Sequence, residues 1–235
     1  MTQPIVLLHG WGYTPHVWDS FSHLLRREGV CTANLPPYAK SISDWADDLA
    51  RSIPDGAVLV GWSLGAMLAL EMASRHRHKI NRLILMSATP RFVKGDDWPH
   101  GLDADTVQEF RTSFALDPLR TLERFVTLQT LGGNERHRIS QMLNAALADS
   151  SEVSLQDGLQ LLAESDVRRH VPVAGLPCLL IHGAQDMLMP LTAAQWVHER
   201  WTDCHLHVIP AAGHAPFVSH PELVASLIRN FVDAA

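Results

Sequence analysis

Val58-Leu59-Val60-Gly61-Trp62-Ser63-Leu64-Gly65-Ala66 is the stretch on which the fold turns. An apolar, β-branched run stops at Gly-x-Ser-x-Gly, and a helix-forming run, Met67 to Arg75, follows directly. The pattern predicts a strand, a sharp turn and a helix, with Ser63 on the turn in a strained backbone conformation and its hydroxyl exposed. Gly61 and Gly65 flank it because a Cβ at either place would clash where strand and helix pass closely. The helix N-terminus just beyond favours negative charge, so an oxyanion forming beside Ser63 would be stabilised. Ser63 is therefore a candidate nucleophile. The alternative is a chance Gly-x-Ser-x-Gly in a loop, against which the strand–helix setting argues.

Working outward, Pro4 to Leu8 is a short, fully apolar run ending in His9-Gly10-Trp11-Gly12, the pattern of a strand buried on both faces. His16 to Glu28 reads as a helix with Val17, Phe21, Leu24 and Leu25 on one side, stopped by Gly29. Val30 to Leu35 reads as a second strand and Pro36-Pro37-Tyr38 as a loop. Ser43 or Asp44 is placed to cap a helix running to about Ile53. The third strand is Ala57 to Gly61, the serine helix Leu64 to His76, and the fourth strand Arg82 to Met86. Strands and helices alternating in this way predict a parallel sheet covered on both faces.

The alternation breaks after Pro90. Four helical stretches follow without a strand: Asp103–Phe114, Pro118–Leu131, Glu135–Ala148 and Val153–Glu164. Gly132-Gly133-Asn134 and Asp149-Ser150-Ser151 separate the last three. Alternation resumes with Cys178–His182, a helix from about Thr192 to Trp201, a strand at His205–Ile209 and a closing helix Pro221–Val232. The expected organisation is an α/β core of residues 1–90 and 171–235, with a helical cap of residues 91–170 inserted between core strands.

In an open parallel sheet, ligands bind at the carboxyl ends of the strands. Asp186 follows the strand at Cys178, and His214 follows the strand at His205, so both fall at the same edge as Ser63. A serine hydroxyl is a poor nucleophile until a base takes its proton. Histidine does this near neutral pH and returns the proton to the leaving group. An aspartate on the far ring nitrogen holds the tautomer. For Asp186 the alternative is a turn-forming loop carboxylate before Pro190, and for His214, one of 14 histidines, a packed surface residue. An oxyanion needs two backbone donors, for which the N–H groups of Leu64 and Trp11 are the candidates. Gly10 permits the tight turn there and His9 is expected to brace it. The side chains of Trp11 and Trp62 are expected to line the pocket, with core packing as the alternative.

Bulk properties narrow the function. The 235 residues suit one domain with an insertion, and 46% hydrophobic residues supply a full core. Net charge is −6 with three lysines (Lys40, Lys79, Lys94), which argues against a nucleic-acid partner. Cys31, Cys178 and Cys204 are odd in number and far apart; Cys31 and Cys178 border apolar runs and are expected to be buried thiols. No signal-type N-terminus or membrane-length apolar run is visible, so a soluble, cytoplasmic protein without membrane contact is expected; a monomer is the expected state. His205 and His207 share one strand face, but without a third ligand they read as the polar face of an edge strand rather than a metal pair. His76-Arg77-His78 reads as cations at a helix C-terminus.

The order Ser63, Asp186, His214, together with Leu7-Leu8-His9-Gly10-Trp11-Gly12 and Gly61-Trp62-Ser63-Leu64-Gly65, resembles the α/β-hydrolase superfamily. Asp97-Trp98-Pro99, Glu123-Arg124-Phe125, Leu128-Gln129-Thr130 and Gly213-His214-Ala215-Pro216-Phe217 extend the resemblance over nearly the whole chain. Within the superfamily these stretches are similar to the pimeloyl-[acyl-carrier protein] methyl ester esterases of biotin synthesis. The resemblance implies a carboxylesterase that needs no metal and no cofactor. Its partner would be an acyl carrier protein bearing a pimeloyl methyl ester, gripped by basic cap residues. Arg120, Arg124, Arg136 and Arg138, with His137, are the matching candidates, ordinary solvated helix surface being the alternative for each. Two departures stand out: Asn34-Leu35-Pro36-Pro37-Tyr38-Ala39-Lys40-Ser41 lacks the usual aspartate and glycine-rich turn, and the sequence opens almost directly on the first buried strand, so the usual N-terminal antiparallel hairpin is expected to be missing. The rival readings are a general short-acyl carboxylesterase with no carrier dependence, and a catalytically silent binding protein on a hydrolase scaffold.

Overall fold

The computed structural model describes residues 3–35, 40–131, 135–149 and 153–234. The expected Pro36-Pro37-Tyr38 loop, the Gly132-Gly133-Asn134 separator, and Ser150-Ser151 lie outside the described residues. Six strands form one sheet: β1 (Ile5–Leu8), β2 (Val30–Ala33), β3 (Ala57–Trp62), β4 (Ile80–Met86), β5 (Cys178–Gly183) and β6 (Cys204–Ile209). Their order is β2-β1-β3-β4-β5-β6, and every described pairing is parallel. Every residue of β1, β3 and β5 is buried, as helices on both faces require. The edge strands β2 and β6 are partly exposed.

The order reverses between β1 and β3, where β1 leads outward to β2 while β3 leads the other way to β6. Leu8 lies beside Gly61 in the register. The loops leaving these neighbouring strands, His9–Gly12 and Ser63, therefore meet at the topological switch point, where such sheets bind ligands.

Helices α2 (Ile42–Ser52) and α3 (Leu64–Arg75) pack together beside the sheet. The cap of α2 is neither Ser43 nor Asp44. Ser41 Oγ accepts the Asp44 N–H at 3.1 Å, while Ser43 Oγ donates to Glu71 Oε1 of α3 at 2.6 Å. The expected helix over 16–28 is broken into a 3-10 turn at Pro15–Trp18, the short α1 (Asp19–Ser22), and a second 3-10 turn at His23–Leu25. Arg26, with φ 51°, ends it three residues before Gly29. Cys31 is exposed, a correction that follows from its place on the edge strand; Cys178 and Cys204 are buried, and all three thiols are free.

Between β4 and β5 the chain builds α4 (Ala104–Leu116), α5 (Pro118–Gln129), α6 (Arg136–Asn144) and α7 (Val153–Glu164). The two segments joining these helices to the core run together. Val167 N–H donates to Pro90 O at 2.8 Å, and Arg91 bridges to Asp166. Arg168 closes the junction, reaching Asp166 at 2.6 Å and Asp97 at 2.8 Å with its guanidinium over the Trp98 ring. After β5 come α8 (Leu191–Arg200), the short α9 (Pro216–Ser219) and α10 (Pro221–Asp233). Among the described residues no helix is long and apolar enough to cross a membrane.

Candidate active site

Ser63 sits between β3 and α3 with φ 58° and ψ −121°, a conformation that costs a non-glycine residue on the order of 1–3 kcal/mol. The flanking glycines make the turn possible. A Cβ on Gly61 would stand 2.4 Å from Gly65 O, and one on Gly65 2.5 Å from His9 O. The N-terminus of α3 is thus pressed against the end of β1. Gly10 extends the same contact, since its Cβ would lie 3.1 Å from that of Ser63.

Gly183 plays the corresponding part at the other end. Its Cβ would fall 2.2 Å from Gly213 O, so the loops after β5 and β6 lie directly on one another. Gln185 N–H donates to Ala212 O at 3.0 Å. The two loops bring Asp186 and His214 together. His214 Nδ1–H donates to Asp186 Oδ2 at 2.8 Å, and Ser63 Oγ–H donates to His214 Nε2 at 2.9 Å. The other oxygen of Asp186 accepts the N–H groups of Leu188 and Met189, each at 2.9 Å. Burial pushes the Asp186 carboxyl up, but His214, His182 and the Met189 N–H outweigh it and hold the group below the ordinary range. Asp186 is thus an anion aimed at the imidazole, and such a relay can take the proton from a serine hydroxyl.

Trp11 follows β1 and Leu64 opens α3. Neither backbone N–H donates to an acceptor among the described residues. His9 braces the loop between them, donating from Nδ1 to Gly10 O at 2.9 Å and accepting the Leu35 N–H at Nε2 at 3.4 Å. Burial lowers the His9 pKa to about 4, against the opposing pull of the Gly10 carbonyl, so the ring is neutral near pH 7.

The Trp11 side chain is clamped by α4, α5 and α7. Its indole N–H donates to Leu155 O of α7 at 2.6 Å, and its ring meets Phe110, Phe114 and Phe125 edge to face. Gly158 of α7 is in the middle of a helix because its Cβ would lie 3.1 Å from Trp11 and 3.3 Å from Trp45. Trp11 divides two cavities. One of about 100 Å³ is lined by the His9–Pro15 loop, Leu64 and Gly158. The other, about 150 Å³ and almost wholly apolar, lies under the cap between Phe110, Phe125, Leu128, Leu159, Leu162 and Leu188.

Trp62 departs from expectation. It is fully buried beneath His214, donating its indole N–H to His214 O at 2.8 Å and packing on Tyr13, Trp18 and Phe217. It supports the base from behind and lines neither cavity beside Trp11. The Ser63 hydroxyl, expected to be exposed, is buried: Ser63 is 3% exposed and His214 1%.

Of the basic cap residues, Arg120 and Arg124 stand one turn apart on the exposed face of α5, and Arg136 is exposed at the start of α6. Arg138 is held by Glu135 at 2.6 Å and reaches Val218 O at 3.4 Å. His205 and His207 lie on the edge strand β6, and among the described residues no group of three metal-holding side chains forms. Arg75, the last residue of α3, and His76, which follows it, both pair with Asp47 of α2.

Residues that sequence reasoning did not single out also gather here. Gln129, at the end of α5, gives its carbonyl to the His214 N–H at 3.4 Å, and its buried side-chain amide lies beside the buried Tyr13 hydroxyl. His182 lies 3.7 Å from Asp186. The recurrence of histidine and glutamine through the chain hides them; only the Leu-Gln-Thr motif gave a signal.

Comparison with known proteins gives concordant results. The profile of the alpha/beta hydrolase family matches residues 5–227. A pimeloyl-[acyl-carrier protein] methyl ester esterase of Aromatoleum aromaticum is 44% identical over 99% of both chains. Another protein of that name, from Pectobacterium carotovorum, is 34% identical over 98% of this chain and 94% of its own. An esterase structure from Exiguobacterium antarcticum superposes with a TM-score of 0.86 at 23% identity, covering 99% of this chain and 92% of that one, which shows the fold.

Proposed function

Because the chain belongs to the alpha/beta hydrolase family, we propose that it is a serine carboxylesterase that hydrolyses the methyl ester of pimeloyl-[acyl-carrier protein], releasing methanol, in biotin synthesis. The observation that carries the chemistry is the hydrogen-bonded series Ser63–His214–Asp186. His214 Nε2 takes the Ser63 proton as Oγ bonds to the ester carbonyl carbon. The carbonyl oxygen becomes an oxyanion facing the N–H groups of Leu64 and Trp11, donors of the kind worth about 3–4 kcal/mol each in a transition state. Collapse breaks the bond to the methoxy oxygen, which takes the proton from His214 and leaves as methanol. Water then gives a proton to His214 and its oxygen to the acyl carbon. Ser63 leaves with that proton, and the free acid remains on the carrier.

The apolar cavity beside Trp11 suits the methylene chain. Ser63 is covered, so entry requires the cap to shift. Arg120, Arg124, Arg136 and Arg138 form the docking candidates for an acidic carrier. The chain is acidic overall, so this patch must act locally. The protein acts as a cytoplasmic monomer in this reading.

The test compares kcat/KM for carrier-bound and free methyl pimelate, alongside restoration of biotin-independent growth in a strain lacking the esterase. Strong preference for the carrier form, with restored growth, is expected. Equal rates on both would favour a general carboxylesterase, and no hydrolysis of either a binding protein.

A further inference from the structure

His182 is the last side chain of β5 before the Gly183 turn, and it is 1% exposed. Its Nε2 lies 2.8 Å from Met189 O, so in the neutral ring that nitrogen carries the hydrogen and donates it. The same Nε2 lies 3.7 Å from Asp186 Oδ2, the oxygen that accepts from His214. Met189 is therefore held through both of its backbone polar groups: its N–H by Asp186 Oδ1 and its carbonyl by His182. The turn bearing the acid is tied back onto the strand it leaves.

We propose that His182 is a positioning residue for the triad acid: it fixes the 186–189 turn through the Met189 carbonyl and lays its N–H edge against the carboxylate oxygen that faces His214. The inference rests on the triad reading above. An N–H edge beside Asp186 withdraws part of the negative charge that Asp186 presents to His214. The titratable groups facing His182 are Asp186 and His214, and those facing Asp186 are the two histidines. Burial keeps the His182 pKa below the ordinary range, so it is neutral while the enzyme works.

Replacing it separates anchoring from packing. His182→Leu removes the donor at similar size. It should lower kcat by roughly tenfold, far short of the ~10⁴ that disabling the acid costs in a comparable triad. KM should hardly change. The acid limb of kcat/KM should move up by roughly half a pH unit as Asp186 regains its full charge. His182→Gln, whose amide can reach the Met189 carbonyl, should recover most of the rate and restore the limb. His182→Asn, whose amide stops a bond short, should not. If the leucine variant fails to fold, the Gln–Asn contrast alone decides. Equal behaviour of Gln and Asn, or a lower rate with an unmoved limb, would overturn the proposal. Asp186→Asn, run in parallel, keeps the two readings apart. If it retains activity, the triad reading fails; if it collapses while His182→Leu keeps both rate and limb, only the role of His182 fails.

Discussion

Acidification should destabilise this protein through one residue of the loop after β1, His9. The ring is buried, and its two nitrogens have fixed roles: Nδ1 donates to Gly10 O, and Nε2 accepts from Leu35 N–H. A proton on Nε2 would face the Leu35 N–H and lose that bond. Burial accordingly lowers the pKa from 6.5 to about 4. Between those values the unfolded chain binds the proton and the folded chain does not, so stability is fully present above pH 6.5 and is lost as pH falls toward 4. The slope in that window approaches 1.4 kcal/mol per pH unit, so lowering the pH from 7 to 5 should remove about 2 kcal/mol through this residue. That corresponds to roughly 4–8 °C in Tm for a domain of this size. The assay is urea unfolding of the wild type and His9→Asn at both pH values. Asparagine keeps a donor near Gly10 O and cannot titrate. Whatever the variant costs at pH 7, the wild type should lose about 2 kcal/mol more than it does on going to pH 5. Equal losses in the two proteins would refute the reasoning.

Gly65→Ala places a Cβ 2.5 Å from His9 O and 2.6 Å from Leu8 O, both backbone atoms that must give way. The protein should remain folded by circular dichroism while kcat falls at least ~100-fold, because the N–H groups of Trp11 and Leu64, proposed above as the oxyanion donors, are forced apart. Trp62→Phe deprives the His214 carbonyl of its donor and leaves a gap behind the base. The expected cost is about 2–4 kcal/mol, seen as a Tm lower by roughly 5–15 °C with a reduced kcat. A thiol reagent should titrate Cys31 alone in the native protein and all three cysteines in urea, since Cys178 and Cys204 are buried on adjacent strands.

The parallel strands and the four helices between β4 and β5 were legible because burial on both faces writes a continuous apolar run, and a packed helix writes a periodic one. The serine turn was legible for a different reason, since only glycine tolerates the contacts at positions 61 and 65. What stayed hidden depends on neighbours distant in sequence. Cys31 borders an apolar run, but its strand is the last of the sheet, and edge position leaves no local mark. Ser43 looked like a cap until Glu71, 28 residues away, claimed its hydroxyl. The apolar positions from Val17 to Leu25 fit a helix, and the sequence has no glycine or proline within them to show the breaks into 3-10 turns. Trp62 and Trp11 read alike, as aromatic residues beside motifs. One turned under the histidine and the other into the cap, a choice made by the strand's pleat and the loop's direction.

The central claim is that Ser63 forms a covalent acyl intermediate using His214 as its base. A p-nitrophenyl alkylphosphonate, which mimics the tetrahedral species, tests it by intact-protein and peptide mass spectrometry. One phosphonyl group per chain on the peptide containing Ser63, formed only very slowly in His214→Ala, is the predicted result. Labelling at another residue, or labelling of Ser63 at the same rate without His214, would contradict it.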